Sequence, residues 1–339
     1  MPPVLALLAG ALSAAAPASA ADVPRAARAV DTSRPDRWVG TGTPASCTSR
    51  AVVRAVRKGG IIRFRCGPDP VRIELEQTAK VVNTSRRVVL DGRGRVTLSG
   101  GGERRILYQN TCDPKQTWTT DHCDDQATPR LVVQHLTFAD GNSTGETYEG
   151  GGGGAVFVRG GRVKVVNSRF FDNRCERTGP DLGGAALRVL SQFHGKPVYI
   201  VHSTFGGAPG YGGSCSNGGA LSSIGVSWVV INSLIANNRA IGHGANPPRP
   251  GSPGGGSGGG IYNDGNRFRL VLRGTAMRDN HAREGGGAIF FVSNDHTGTL
   301  TIAHSVLHHN PSAGFETAGY PGIFFIGRGH PHVRHSRLD

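Results

Sequence analysis

Lysine is scarce in this 339-residue chain: only Lys58, Lys80, Lys115, Lys164 and Lys196 stand among its 38 basic residues, and the rest are arginine. Beyond residue 20 no apolar run approaches the roughly 20 residues that a membrane-spanning helix needs. A helical anchor in the mature chain is therefore excluded. No Cys-x-x-Cys occurs, which argues against a zinc ribbon or a dithiol redox centre. The arginines form no dense run and few aromatic residues lie between them, so a nucleic-acid footprint is missing and nucleic acid is not an expected partner. Helical periodicity is confined to one short stretch near residue 50.

Glycine dominates what is there, with 52 residues, and the formal net charge is +14. The start of the chain reads as a secretory leader. Leu5 to Ala16 is apolar, and Ala18-Ser19-Ala20 is a small-x-small cleavage signal, although no Lys or Arg precedes the apolar run. The expected organisation is a signal peptide over 1–20, a disordered mature N-terminus over 21–44, one folded domain over 45–327 and a frayed tail over 328–339. In an exported chain, six cysteines favour disulfides over metal ligation. Sequence order pairs Cys47 with Cys66, Cys112 with Cys123, and Cys175 with Cys215, each worth about 3 kcal/mol through restriction of the unfolded chain. The location implied is extracellular, in the medium or on the cell surface, and the protein is expected to be monomeric. Its basic excess invites an acidic partner such as a uronate polysaccharide or a cell-wall glycan. Arg, Gly, Ala and Pro are also the residues of GC-rich codons, which accounts for part of that basicity.

Six segments align when the chain is laid on itself: Leu131–Gly141, Val163–Asn173, Val198–Ala208, Trp228–Asn238, Leu270–Asn280 and Leu300–Asn310. Their starts are 32, 35, 30, 42 and 30 residues apart, and the long interval contains the Gly/Pro-rich insertion 242–260. Each segment opens with apolar residues two apart, the period of a strand with one face inside. An apolar position then follows (Phe138, Phe170, Phe205, Ile235, Met277, Leu307), and three residues later Asn173, Asn238, Asn280 and Asn310 recur. Gly-Gly-apolar strands such as Gly153-Gly154-Ala155-Val156 and Gly286-Gly287-Ala288-Ile289 come next, where glycine allows the sharp bend. Repeats of about 30 residues without an intervening helix predict an all-β solenoid, a right-handed single-stranded parallel β-helix with an N-terminal capping helix. Stacking would make the Phe/Leu positions a core column and the asparagines a side-chain ladder.

The alternation of Gly-Gly-Ala with Phe-x-x-Asn, complete in Phe170-Phe171-Asp172-Asn173, resembles the repeats of polymorphic outer-membrane proteins and, more widely, the pectin-lyase-like β-helix superfamily. Ala51–Val56 followed by Gly59–Phe64 is similar to that superfamily's capping helix and first strand. The resemblance covers about residues 45 to 327 and implies a fold more than an activity, since such folds carry lyases, hydrolases and adhesins.

The lyases' Trp-x-Asp-His strand motif and their Arg-x-Pro-x-x-Arg motif are missing. Trp118–His122 lies in a cysteine-closed loop, and Gly242-His243-Gly244 lies in the Gly-rich insertion. The better candidates are two mixed-charge loops after the Phe-x-x-Asn corner. One carries Asp172, Arg174, Glu176, Arg177 and Asp181; the other carries Arg278, Asp279, His281, Arg283 and Glu284. If they share a flank, Asp172, Arg174, Glu176, Asp181, Asp279, Arg283 and Glu284 are the candidate catalytic residues. Paired carboxylates could hold Ca²⁺ or act across a sugar linkage at separations of about 5 to 9.5 Å. No other cofactor is implied. The leading expectation is an exported protein that engages polysaccharide along one flank, as a lyase or glycoside hydrolase. The alternative is a non-catalytic, adhesin-like surface protein, and the simpler account of the charged loops is solvated turns paired in ordinary surface salt bridges. His135, His202 and His304 occupy one column in non-adjacent repeats, too far apart to share a metal.

Overall fold

The computed structural model describes residues 20–146 and 151–339; the expected leader lies almost wholly outside the described residues. Among these, the strands form parallel sheets of 17, 8 and 3 strands, with one α-helix of ten residues. The chain is thus all-β and mostly parallel, an arrangement that fits a β-solenoid. Each repeat's strand pairs in register with its counterparts before and after it. Val165 faces Ile200, Ile200 faces Val230, Val230 faces Leu272 and Leu272 faces Ile302.

The core column expected from the repeats is formed. Phe138, Phe170, Phe205, Ile235, Met277 and Leu307 are successive register partners, all at most 1% exposed. The rings of Phe138, Phe170 and Phe205 stack at 4.9 and 4.7 Å. Asparagine amides in a column can hydrogen-bond one another along the stack, and they do. Asn238 Nδ2 donates to Asn280 Oδ1 (2.9 Å) and Asn280 Nδ2 to Asn310 Oδ1 (2.8 Å). Asn173, in the upstream repeats, accepts instead from Gly141 N (2.9 Å). At the bend into the Gly-Gly strands, Gly153, Gly184, Gly218, Gly258 and Gly286 have φ between 53° and 72°, a region that costs a side-chain-bearing residue strain.

Helix α1 (Ser49–Lys58) starts at Thr48, whose hydroxyl accepts from Ala51 N. It ends at Gly59, with φ 66°. Its Val52, Ala55 and Val56, at i, i+3 and i+4, are buried in the main core. The three disulfides are Cys47–Cys66, Cys112–Cys123 and Cys175–Cys215, with Cα separations of 5.7, 4.9 and 4.8 Å.

Two expectations at the ends are corrected. Residues 21–44 are ordered. The segment runs across the outer face of the 17-stranded sheet, and Val39 then pairs with Phe64. Ala21 N donates to Asn232 Oδ1 (2.7 Å), Val30 N to Gln134 Oε1 (2.8 Å), and Ala27 is fully buried against Val166, Val201 and Ile231. The tail is ordered too: His332–Arg334 and Arg337–Leu338 add one more turn to the sheet, with Leu338 beside Leu307. Both segments gain apolar and backbone partners that only the folded stack presents.

Candidate functional site

Each repeat's short strand ends in a tight corner just before the asparagine ladder. The residue there adopts a left-handed conformation: Asp140 (φ 53°), Asp172 (45°), Asn237 (62°), Asp279 (56°) and His309 (50°). Asp, Asn and His tolerate this region better than other side-chain-bearing residues. Backbone geometry therefore explains why carboxylates stand at 172 and 279. The histidine column has the same origin, since His135, Asn167, His202, Asn232 and His304 form a second left-handed corner, with φ from 47° to 51°.

The seven expected residues do not assemble into one centre. Asp172 and Asp279 share a column but stand three repeats apart, about 14 Å at ~4.8 Å per repeat, beyond reach of a common sugar linkage. Burial, with Asp140 adding, pushes the Asp172 carboxyl above its usual range despite Arg174, whose Nη2 lies 3.8 Å away. Glu176 Oε1 accepts from Gly145 N (2.6 Å). Burial opposes ionisation of Asp279, but His309 Nδ1 and Arg278 Nη1, each at 2.9 Å, hold its carboxyl below the ordinary value. Arg283 is exposed.

Glu284 is buried under the 242–260 insertion. That segment turns back on itself through antiparallel bridges His243–Gly254 and Ala245–Gly255. Arg249 reaches from it to grip both Glu284 oxygens (2.7 Å each), and Gly244 N donates to Oε1 (2.7 Å). These bonds, the arginine's first, hold Glu284 below its ordinary value. Asp181 Oδ1 accepts from Asn246 of the same insertion (3.3 Å), whose amide also donates to Tyr262 Oη (2.9 Å) and Asp264 Oδ2 (3.1 Å). Beneath them lies Arg188, fully enclosed and pulled down by burial to about 10. Its Nη1 donates to Ser222 Oγ (2.6 Å) and its Nη2 to the Asp181 carbonyl. Asp181 and Glu284 thus serve to fasten the insertion.

What does come together is cationic. The residue after each ladder position forms its own column in register, running Arg174, Ser214, Arg239, His281. With Arg177, Asp279 and His309, the last three of these line an open groove of about 660 Å³. Arg174, Arg177 and Arg239 are exposed. Burial, with Arg239 adding, holds the His281 imidazole below its ordinary value, so it is neutral near pH 7. The sequence signal for Arg239 and His281 was the position directly after the recurring asparagine, read along the stack rather than along the chain.

Among the described residues the one grouping of three potential metal ligands is Cys112, Cys123 and Asp124, whose sulfurs are joined in a disulfide. The carboxylates considered for Ca²⁺ do not converge. No helix among the described residues is long and apolar enough to cross a membrane. Comparison with known proteins gives no matching family model, curated protein or solved structure.

Proposed function

We propose that this chain is an exported right-handed parallel β-helix protein, capped at its N-terminal end by α1, that holds acidic polysaccharide along one flank. The cationic column carries this reading. Arg174, Arg239 and His281, with Ser214 between them, stand at ~4.8 Å intervals, with Arg177 beside them in the groove. Two exposed guanidinium forks in one column, Arg174 and Arg239, with Arg177 nearby, suit a polymer that repeats a carboxylate. The three disulfides suit an oxidising compartment. Binding is favoured over bond cleavage, because Asp279 and Glu284 are paired with adjacent arginines and Asp172 lies outside the groove lining.

The test is calorimetric titration with polygalacturonate and with a neutral glucan of similar length. Saturable binding of the acidic polymer alone is expected, weakened at least tenfold in an Arg177→Ala/Arg239→Ala double variant, since two charge-assisted contacts at about 1.5–3 kcal/mol each would go. Equal binding of both polymers, or an unchanged double variant, would refute it. Release of unsaturated or reducing ends during the titration would move the assignment to a lyase or hydrolase.

A further inference from the structure

We propose that a second cleft, beneath the ordered N-terminal segment, binds a sugar carrying an oxyanion. This site lies apart from the groove, on the outer face of the 17-stranded sheet, and has a volume of about 670 Å³. Three guanidinium groups from three different strands line it: Arg63 (in Gly60–Phe64), Arg93 (in Arg87–Ser99) and Arg169 (in Arg169–Phe171). Among the described residues none of the three forms an ion pair. Arg63 lies over the Trp38 ring (5.1 Å) and its Nη1 donates to Thr32 O (3.4 Å), while its Nε, shielded from solvent, carries no hydrogen bond.

The local backbone is unusual. Asp91 pairs with Gln134 and Val96 with Leu136, so residues 92–95 stand opposite His135 alone. In the following repeats the corner keeps its length, with Val166 and Arg169 facing Gln134 and Thr137. This bulge turns Arg93 into the cleft, in a left-handed conformation (φ 53°) that arginine rarely adopts. Asp91 secures it by accepting from Arg93 N (2.9 Å).

Asp91 lines the same cleft, yet its capacity is spent. Oδ1 also meets His135 Nδ1 (3.1 Å), while Oδ2 accepts from Thr32 Oγ1 and from Gln134 Nε2 (3.2 Å). His135 is engaged at its other nitrogen by Asn167 Nδ2 (3.0 Å), and Asp31 accepts from its neighbour Ser33 (2.9 Å). The two acids of the lining, Asp31 and Asp91, are thus occupied by the protein's own donors, and Arg93 and Arg169 stand without an ion pair beside one polar space, with Arg63 at its edge. A guanidinium fork matches the paired oxygens of a carboxylate, sulfate or phosphate. The largely polar lining suits a hydrated ligand such as a sugar.

Calorimetry on the whole protein with three probes separates the sources of that oxyanion: glucuronic acid, N-acetylglucosamine 6-sulfate and inorganic phosphate. Saturable binding of either sugar is expected. Replacing both exposed arginines, Arg93→Ala with Arg169→Ala, should weaken it about tenfold or more, and Arg93→Lys should recover part of the loss. Circular dichroism checks that the variants fold. Saturable binding of the sugar should persist in the Arg177→Ala/Arg239→Ala background, where the groove's contacts are gone, so this site and the groove fail separately. Binding of phosphate alone, no binding by any probe at about 10 mM, or indifference to the arginine changes would overturn the assignment.

Discussion

Asn280 is the residue at which the stacking can be tested most directly. Its side chain is fully buried and sits in the middle of the ladder. Oδ1 accepts from Asn238 N (3.1 Å) and Asn238 Nδ2 (2.9 Å), while Nδ2 donates to Ile235 O (2.8 Å) and Asn310 Oδ1 (2.8 Å). Asn280→Ala removes all four bonds but orphans fewer groups. Asn238 Nδ2 keeps Phe205 O and Ala236 O, and Asn310 Oδ1 keeps Asn280 N. Asn238 N is left without its acceptor and Ile235 O without this donor. At about 1–3 kcal/mol per buried group left unpaired, the expected loss is about 3 kcal/mol in urea unfolding with the disulfides intact. Asn280→Asp separates donor from acceptor roles. It keeps the acceptor sites but sets a carboxylate against Ile235 O, so its pKa should rise in the folded state. The folded protein then binds the proton more tightly than the unfolded chain, and stability should recover as pH falls. A loss below about 0.5 kcal/mol for Asn280→Ala, or no pH dependence for Asn280→Asp, would refute a buried ladder.

Three further outcomes follow from the same geometry. Because His281 is neutral near pH 7 and faces the groove, affinity for polygalacturonate should rise as pH falls below about 6.5, and His281→Ala should flatten that profile. Arg249→Ala should loosen the 242–260 insertion. The arginine end of the pair is exposed, so the stacked core should stay folded, while limited proteolysis should now cut within the insertion. Acid should do the same to the unaltered protein. Glu284 ionises below its ordinary value, so its hold is complete at neutral pH and is lost as pH falls through that depressed value. Finally, Ala27→Glu would force a charge onto the apolar surface of Val166, Val201 and Ile231. It should release the N-terminal segment, seen as cleavage between residues 20 and 33 and as increased binding of an apolar dye, with the stacked core intact.

The stacking was legible because in-register parallel repeats duplicate their physics. The Phe/Leu column, the asparagine ladder and the glycine bends each recur at fixed offsets, so one correct alignment predicts all the contacts within them. Cysteine order sufficed for the disulfides because each pair is close along the chain, 11 to 40 residues apart. The site was harder to read. Along the chain a charged corner residue reads as chemistry, whereas the left-handed turn selects Asp, Asn and His at 172, 237, 279 and 309. Arg239 and His281 carry no motif along the chain, and their proximity appears only when repeats of unequal length, 35, 30 and 42 residues, are laid one above another.

The ordered N-terminal segment left a trace that reasoning by strand period passes over. An outer sheet face open to water should alternate apolar with polar residues, yet these strands read Val88-Val89-Leu90, Leu131-Val132-Val133 and Val198-Tyr199-Ile200-Val201. Val89, Val132, Val166, Val201 and Ile231 point away from the main core and are still at most 7% exposed. Something must cover them, and the cover is residues 21–33, a segment too short and polar to announce a fold of its own. Its polar atoms pair with side chains the sheet offers at intervals, Asn232, Gln134 and Asp91, so the same contacts that hide the apolar strip also form the roof of the arginine cleft. Covering the sheet and shaping that cleft are therefore one structural event, and a change that lifts the segment should abolish oxyanion binding there while leaving the groove on the other corner intact.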